Sequence, residues 1–285
     1  MTSNRDLTNE QGQRTILVLG ATGKTGRRVV ARLAEHPVTV REGSRSAARP
    51  FDWTDRTTWA PVLQGVDAVY LSYHPDLAAP GAADTVGEFT GLAVASGVSR
   101  LVLLSGRGEE EAQASEKLVQ DAGVEWTILR ASWFSQNFSE AHLLDPVRDG
   151  EVVLPVGDVP EPFVDADDIA EVAVAALIGD GHAGQLYELT GPRLLTFAEA
   201  VAEIATATGR RIDYVQVSPE EYAAALTAEG LPQNVVDLLM YLFTTVLDGR
   251  NAHLADGVRR ALGRPPRDFA EYAARTAATG IWNQR

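Results

Sequence analysis

Read for its hydrophobic and polar positions, the first half of the chain alternates short apolar runs with amphipathic stretches. The apolar runs are Thr15 to Leu19 (TILVL), Asp67 to Ser72 (DAVYLS), Leu101 to Leu104 and Trp126 to Leu129, with a further short strand expected at Val38 to Val40. Strands that are apolar without alternation are buried on both faces, as in a parallel sheet covered by helices. Helical patterns follow each run: from the turn Gly20–Gly26 to about Glu35, from Thr85 to Ser96 before Gly97, and from Glu109 to Ala122 before Gly123. The last two glycines stand where helices commonly end. The alternation predicts βαβ units, and so an α/β fold with a doubly wound, Rossmann-like parallel sheet over about residues 14–150.

Beyond Gly150 the pattern is less regular. Strands are expected at Val152 to Val156, Gln185 to Leu189 and Arg211 to Val217. A helix running to Leu177 starts within Phe163-Val-Asp-Ala-Asp-Asp, capped by Asp165 or Asp167. Thr196 with Glu199 three residues on forms a capping box for a helix from Phe197 to Ala207, and Ser218-Pro219-Glu220-Glu221 opens another. Residues 151–285 therefore read as a smaller C-terminal α/β lobe, partly interleaved with the sheet. Within it, Asn234 to Leu247 carries two apolar stripes, Val235/Leu238/Leu239/Leu242/Val246 and Val236/Met240/Phe243/Leu247. A helix apolar on two sides is buried on both. It serves as ordinary core, as a wall of a substrate pocket through Met240, Tyr241 and Phe243, or as a surface pairing two subunits in a homodimer.

Residues 1–13 are polar, lack the apolar segment of a secretory leader, and read as a disordered tail. No apolar run approaches the roughly 20 residues needed to span a bilayer; Asn234 to Leu247 is too short and contains Asp237. A net charge of −14 disfavours nucleic acid and anionic membranes as partners. The absence of cysteine excludes disulfides, thiolate catalysis and cysteine-ligated metals, and a cytoplasmic location fits. His36, His74, His142, His182 and His253 lack ligand spacing, so no metal site is expected.

The densest chemical signal is Gly20-Ala21-Thr22-Gly23-Lys24-Thr25-Gly26, placed directly between the first strand and a helix. Glycine permits positive φ in the tight turn and close approach of a pyrophosphate to the backbone, while the helix N-terminus offers free N–H groups. Gly26 allows the helix to pack closely on the strand. After the second strand, an NAD site usually presents an acid to the ribose 2′-hydroxyl. Here the segment reads Val40-Arg41-Glu42-Gly43-Ser44-Arg45-Ser46. Arg45 stands near the expected distance from Gly20, and a guanidinium suits a 2′-phosphate. The cofactor expected is NADPH, with Glu42 keeping NADH as the alternative.

These segments resemble a known family. GATGKTGRRVV, the GSRS stretch, Phe51-Asp52, SEKLVQDAGVEWTILRASWFSQNF and PFVDADDIAEVAVAAL are similar to the NmrA-like branch of atypical short-chain dehydrogenases/reductases. Ser115 to Phe138 is especially similar to bacterial type-2 NAD(P)H:quinone oxidoreductases. The resemblance runs from about Gln13 to Trp282. It implies that Gly20, Thr22, Gly23, Lys24, Thr25 and Gly26 form a diphosphate loop, that Arg45 meets the 2′-phosphate, and that Asp52, after the family's third strand, reaches the adenine. It places Ser72 and Tyr73 along the cofactor ribose. It gives Lys117 the role of holding the nicotinamide ribose and assisting proton transfer, although Lys117 also fits a solvated face with Glu109, Glu110, Glu111, Gln113 and Glu116.

One departure matters. Short-chain dehydrogenases carry Tyr-x-x-x-Lys, one helical turn apart, so that the lysine tunes the phenol for proton exchange. The position four before Lys117 is Gln113, which is neither acid nor base. Ser105, at a strand end, remains able to hydrogen-bond a carbonyl. Hydride transfer to a quinone needs little acid help, because hydroquinone oxygens are weakly basic, and positioning does most of the work. The sequence therefore favours an NADPH-dependent oxidoreductase acting on a quinone-like or other flat unsaturated, aromatic small molecule. Trp133, Phe134 and Asn137 follow a strand end, where ligands bind in such sheets, and either stack on the substrate or fill the core between the lobes. Tyr73 and His74 follow another strand toward the same crevice. A non-catalytic NADP(H)-sensing regulator and an auxiliary enzyme of natural-product biosynthesis stand as alternatives.

Overall fold

The computed structural model describes residues 13–284; of the tail expected at 1–13, all but Gln13 lies outside them. The strands are β1 (Thr15–Leu19), β2 (Thr39–Gly43), β3 (Ala68–Leu71), β4 (Arg100–Gly106), β5 (Glu125–Ala131), β6 (Glu151–Leu154), β7 (Gln185–Leu189) and β8 (Asp213–Gln216). The helices of the first half are α1 (Lys24–Leu33), α2 (Trp59–Leu63), α3 (Ala82–Ala95), α4 (Glu110–Gln120), α5 (Asn137–Glu140) and α6 (Leu144–Asp149). Those of the second are α7 (Ala166–Ile178), α8 (Phe197–Thr208), α9 (Pro219–Ala228), α10 (Gln233–Tyr241), α11 (Gly257–Leu262) and α12 (Phe269–Ala278).

Six strands form one parallel sheet in the order β2-β1-β3-β4-β5-β7, as the apolar runs predict. Ile16, Leu17, Val18 and Leu19 are fully buried, because helices cover both faces. On one face α1 and α7 pack together over Val18, Tyr70, Val102 and Leu129; on the other α2, α3 and α4 cover Leu17, Val69, Leu101 and Ile128. Burying each such side chain stabilises the fold by roughly 1.5–3 kcal/mol. The strand order reverses between β1 and β3. In an open α/β sheet a crevice opens at the carboxyl ends of the strands at such a switch point.

The second half returns to this sheet before it leaves it. α7, capped by the Asp165 side chain on the Asp167 N–H, covers the α1 face, and β7 extends the sheet beside β5. A second core gathers Phe138, Phe163, Phe197, Phe243, Phe269 and Trp282 around the small parallel pair β6–β8. The capping boxes at Thr196/Glu199 and Ser218/Glu221 both form.

Two expectations change. β2 runs on to Gly43, because its backbone pairs with β1 through Leu19↔Gly43 despite the polar sequence Arg41-Glu42. The strand that the family resemblance sets before Asp52 does not form: the chain turns after Ser44, whose carbonyl accepts from the Phe51 N–H at 3.0 Å, so β2 is the sheet edge and Asp52 precedes β3.

Candidate active site

The crevice predicted by the strand order holds a cavity of about 770 Å³, within the usual range of small-molecule sites. Its floor is the glycine turn. Gly20 adopts φ +65°, and its carbonyl accepts the Gly23 N–H at 2.8 Å. A Cβ on Gly26 would overlap the Gly20 carbonyl, so only glycine lets α1 start this close to β1. The Tyr70 hydroxyl, from β3, donates to Thr25 Oγ1 at 2.9 Å and fixes the turn from below. No side chain caps α1 and no acid stands in its first turn. Its first amides therefore have no intrahelical acceptor and favour an anion.

Gly20, Thr22, Gly23, Lys24 and Thr25 line the cavity; Gly26 does not, and acts through packing. Lys24 Nζ donates to Asn137 Oδ1 at 2.8 Å. Burial, with Arg27 and Arg28 nearby, lowers the Lys24 ammonium below its ordinary pKa although Glu140 opposes this. At the other end, Gly43, Ser44 and Arg45 form the rim, and Glu42 lies outside it. Arg45 is exposed and makes no hydrogen bond or ion pair with the described residues. Asp52 lines the cavity with its carboxylate held by the Thr54 N–H (2.9 Å) and hydroxyl (2.8 Å), which depress its pKa. Ser72, Tyr73 and His74 follow β3 into the wall, where Tyr73 packs on Trp53 at 5.0 Å.

Apolar side chains make up much of the remaining lining. Trp133 and Phe134, after β5, line the cavity together with Leu77 and His142. Burial, with Lys24 adding, lowers the His142 pKa to about 4, so its imidazole is neutral at physiological pH. The Asn234–Leu247 segment is α10 continued by a π-helical turn, Leu242–Val246. Leu238, Leu239, Leu242 and Val246 face the cavity, whereas Phe243 is buried in the second core, 5.0 Å from the Trp133 ring, with Met240 packed on that core. Met240 and Phe243, expected to meet a substrate, therefore do not line the cavity, because the aromatic second core claims their face.

Of the two residues expected to do chemistry, the structure corrects Lys117. Lys117 lies on the solvent side of α4, its side chain 68% exposed and paired with Asp121 at 2.8 Å. The buried face of α4 carries Ala112, Ser115, Glu116 and Val119, so both Gln113 and Lys117 point away from the sheet. Ser105 does reach the cavity, but its hydroxyl donates to Glu116 Oε1 at 2.6 Å. Glu116 is in turn held by Arg130 at 2.6 Å. Ser105 is thus tied into a buried ion pair beneath the cavity.

Sequence reasoning missed Arg107, Asp76, Glu109 and His142, all of which line the cavity. Arg107 is 4% exposed, and donates to the Asn251 carbonyl at 2.8 Å and the His253 carbonyl at 3.0 Å, with Glu188 at 3.2 Å. It ties the β4 end to the chain after α10. One signal for Glu109 was available: residues just after a strand's carboxyl end face the crevice.

Residues 20–179 match a family described as NAD(P)H-binding. The chain belongs to this family and is an NAD(P)H-dependent oxidoreductase, in line with its resemblance to NmrA-like reductases. It is 33% identical to an uncharacterized oxidoreductase, YesF, of Bacillus subtilis, over 95% of this chain and 99% of that protein. It is 32% identical to an NAD(P)H azoreductase of Xenophilus azovorans, over 92% of this chain and 98% of that protein. Among solved structures it resembles the NADPH complex of the quinone oxidoreductase QOR2 of Escherichia coli, with a TM-score of 0.73, 24% identity, and coverage of 91% of this chain and 99% of that one. Among the described residues no helix is long and apolar enough to cross a membrane.

Proposed function

We propose that the protein uses NADPH in preference to NADH to reduce a quinone-like or other flat, unsaturated small molecule. The observation that carries this reading is the continuity of one cavity from the glycine turn and Arg45 to an apolar chamber of Trp133, Phe134, Leu238, Leu239, Leu242 and Val246. The residues present fit a phosphorylated dinucleotide. The uncapped first turn of α1 suits a diphosphate, and the unpaired Arg45 suits a 2′-phosphate, with no acid on the rim in the place Glu42 was expected to take. When bound, the nicotinamide supplies hydride.

The protein's own groups do the rest. The glycine turn and Lys24 hold the phosphates, and Ser72 and Tyr73 flank the path between rim and chamber. The apolar chamber excludes water and orients a flat acceptor against the Trp133 side chain. No tyrosine–lysine pair faces the cavity from α4, which supports an electron-poor acceptor over a simple ketone. The QOR2 likeness agrees with this choice. The test is loss of NADPH absorbance, by stopped flow, across a panel of quinones, enones and simple ketones. Quinones are expected to turn over fastest; faster turnover of simple ketones rejects the reading.

A further inference from the structure

Two carboxyl groups meet in the wall of this cavity without a cation between them. Glu109 follows the end of β4 and is 8% exposed; Asp76 comes from the loop after β3. The Glu109 side chain folds back over Gly106, where a Cβ would overlap its carboxyl group, so a glycine at that strand end is what admits it. Its carboxyl and that of Asp76 lie within hydrogen-bonding reach of each other, and Asp76 Oδ1 also accepts the Ala78 N–H at 2.8 Å. Neither makes an ion pair with any described residue.

The other charged neighbours do not relieve this. Glu111 and Glu116, on the same helix, add negative field. From α10, the Tyr241 hydroxyl is engaged by Glu111. Arg250 pairs with Asp248 at 2.8 Å and reaches Glu110 at 3.8 Å. The guanidinium of Arg107 is directed to Glu188 and to the carbonyls beyond α10. Two carboxyls in contact with no counter-ion are not both ionised at neutral pH and share one proton, so the doubly ionised pair left after proton donation is a costly state that recaptures a proton readily.

We propose that the Glu109–Asp76 pair holds this proton for the bound acceptor, with Glu109 as donor and Asp76 accepting its hydrogen bond. The inference rests on the reductase reading above. An acceptor that gains two electrons and a hydrogen as hydride, from a reduced nicotinamide that is thereby oxidised, is left as an anion. That anion takes the proton of Glu109. The O–H bond of Glu109 breaks, its electron pair stays on the carboxylate, and a new bond to hydrogen forms on the acceptor. After product release the Glu109 carboxylate takes up one proton from bulk solvent, the proton that the overall reduction consumes. The pair thus stands in for the missing phenol, and it matters most for enone acceptors, whose reduced anions are far more basic than a hydroquinone.

Burial, reinforced by the negative field of Asp76, raises the Glu109 carboxyl to about 9, so it is protonated at neutral pH and spent only above that value. Infrared spectra of the wild-type protein, titrated through this range without substrate, are expected to show a protonated-carboxyl band that persists at about pH 8, where Glu161 is largely ionised, and disappears above about pH 9. The band is expected to be missing in Glu109→Gln. No such band in the wild type at about pH 8 overturns the proposal. Glu109→Gln is expected to lower enone turnover about 100-fold or more, and quinone turnover much less, with NADPH affinity by fluorescence titration unchanged. Gly106→Ala, which displaces the carboxyl without removing it, is expected to share the defect. Enone turnover equal to wild type in a folded Glu109→Gln protein overturns the proton donor and leaves the reductase reading standing. A wild-type protein that binds no nicotinamide nucleotide overturns both.

Discussion

Replacing Arg45 by alanine gives the most direct test of how the site chooses its cofactor. The guanidinium stands at the rim of the cavity, exposed and without a hydrogen bond or ion pair among the described residues. It therefore has no hydrogen bond or ion pair to lose, and the substitution leaves folding stability within about 0.5 kcal/mol. A guanidinium–phosphate contact is charge-assisted and contributes about 1.5–3 kcal/mol. Solvent screening at an exposed rim places Arg45 near the lower figure. A loss of about 1.5 kcal/mol weakens NADPH roughly 10-fold. NADH has no 2′-phosphate and binds as before. The assay is a titration of intrinsic fluorescence with each nucleotide, for which Trp53 and Trp133 in the cavity wall are built-in reporters. Added salt is expected to weaken NADPH binding in the wild type more than in Arg45→Ala. An NADPH-to-NADH affinity ratio unchanged by the substitution refutes the assignment of Arg45 to the phosphate.

Two further outcomes are expected. Burial raises the Glu161 carboxyl from 4.5 to about 7, although the Trp133 N–H, Arg107 and Ser132 pull the other way, and its Oε2 has no partner. The folded state then holds this proton more tightly than the unfolded chain. Stability falls as pH rises from about 4.5 to about 7, by roughly 3 kcal/mol in all. Glu161→Gln keeps an acceptor for Trp133 and removes the charge, so urea unfolding is expected to show a variant more stable than wild type above pH 7 and less sensitive to pH; a variant as pH-dependent as wild type sinks this account. Lys117→Ala, which removes only an exposed pair with Asp121, is expected to change neither kcat/KM nor stability by more than about 0.5 kcal/mol. A loss of turnover there restores the lysine to the mechanism.

The sheet was legible along the chain because its determinants are local. A run such as Thr15–Leu19, buried on both faces, has no other place than the middle of a parallel sheet, and the Gly20–Gly26 turn directly after it fixes where the crevice starts. Local caps were equally readable, since Thr196 and Ser218 need only a glutamate three residues on. The chemistry was less legible because it depends on rotation and approach between distant segments. Spacing showed that Gln113 and Lys117 share one side of α4, but which side met the sheet was decided by the burial of Ala112, Ser115, Glu116 and Val119. Two stripes on one helix were plain, yet only the aromatic cluster of the second lobe determined that Phe243 belongs to the core and Leu242 to the cavity. Glu109 sat in a run of acids that resembles a solvated surface. Gly106 and the loop carrying Asp76 turned it inward, since a carboxyl's environment is set by whatever the fold brings against it.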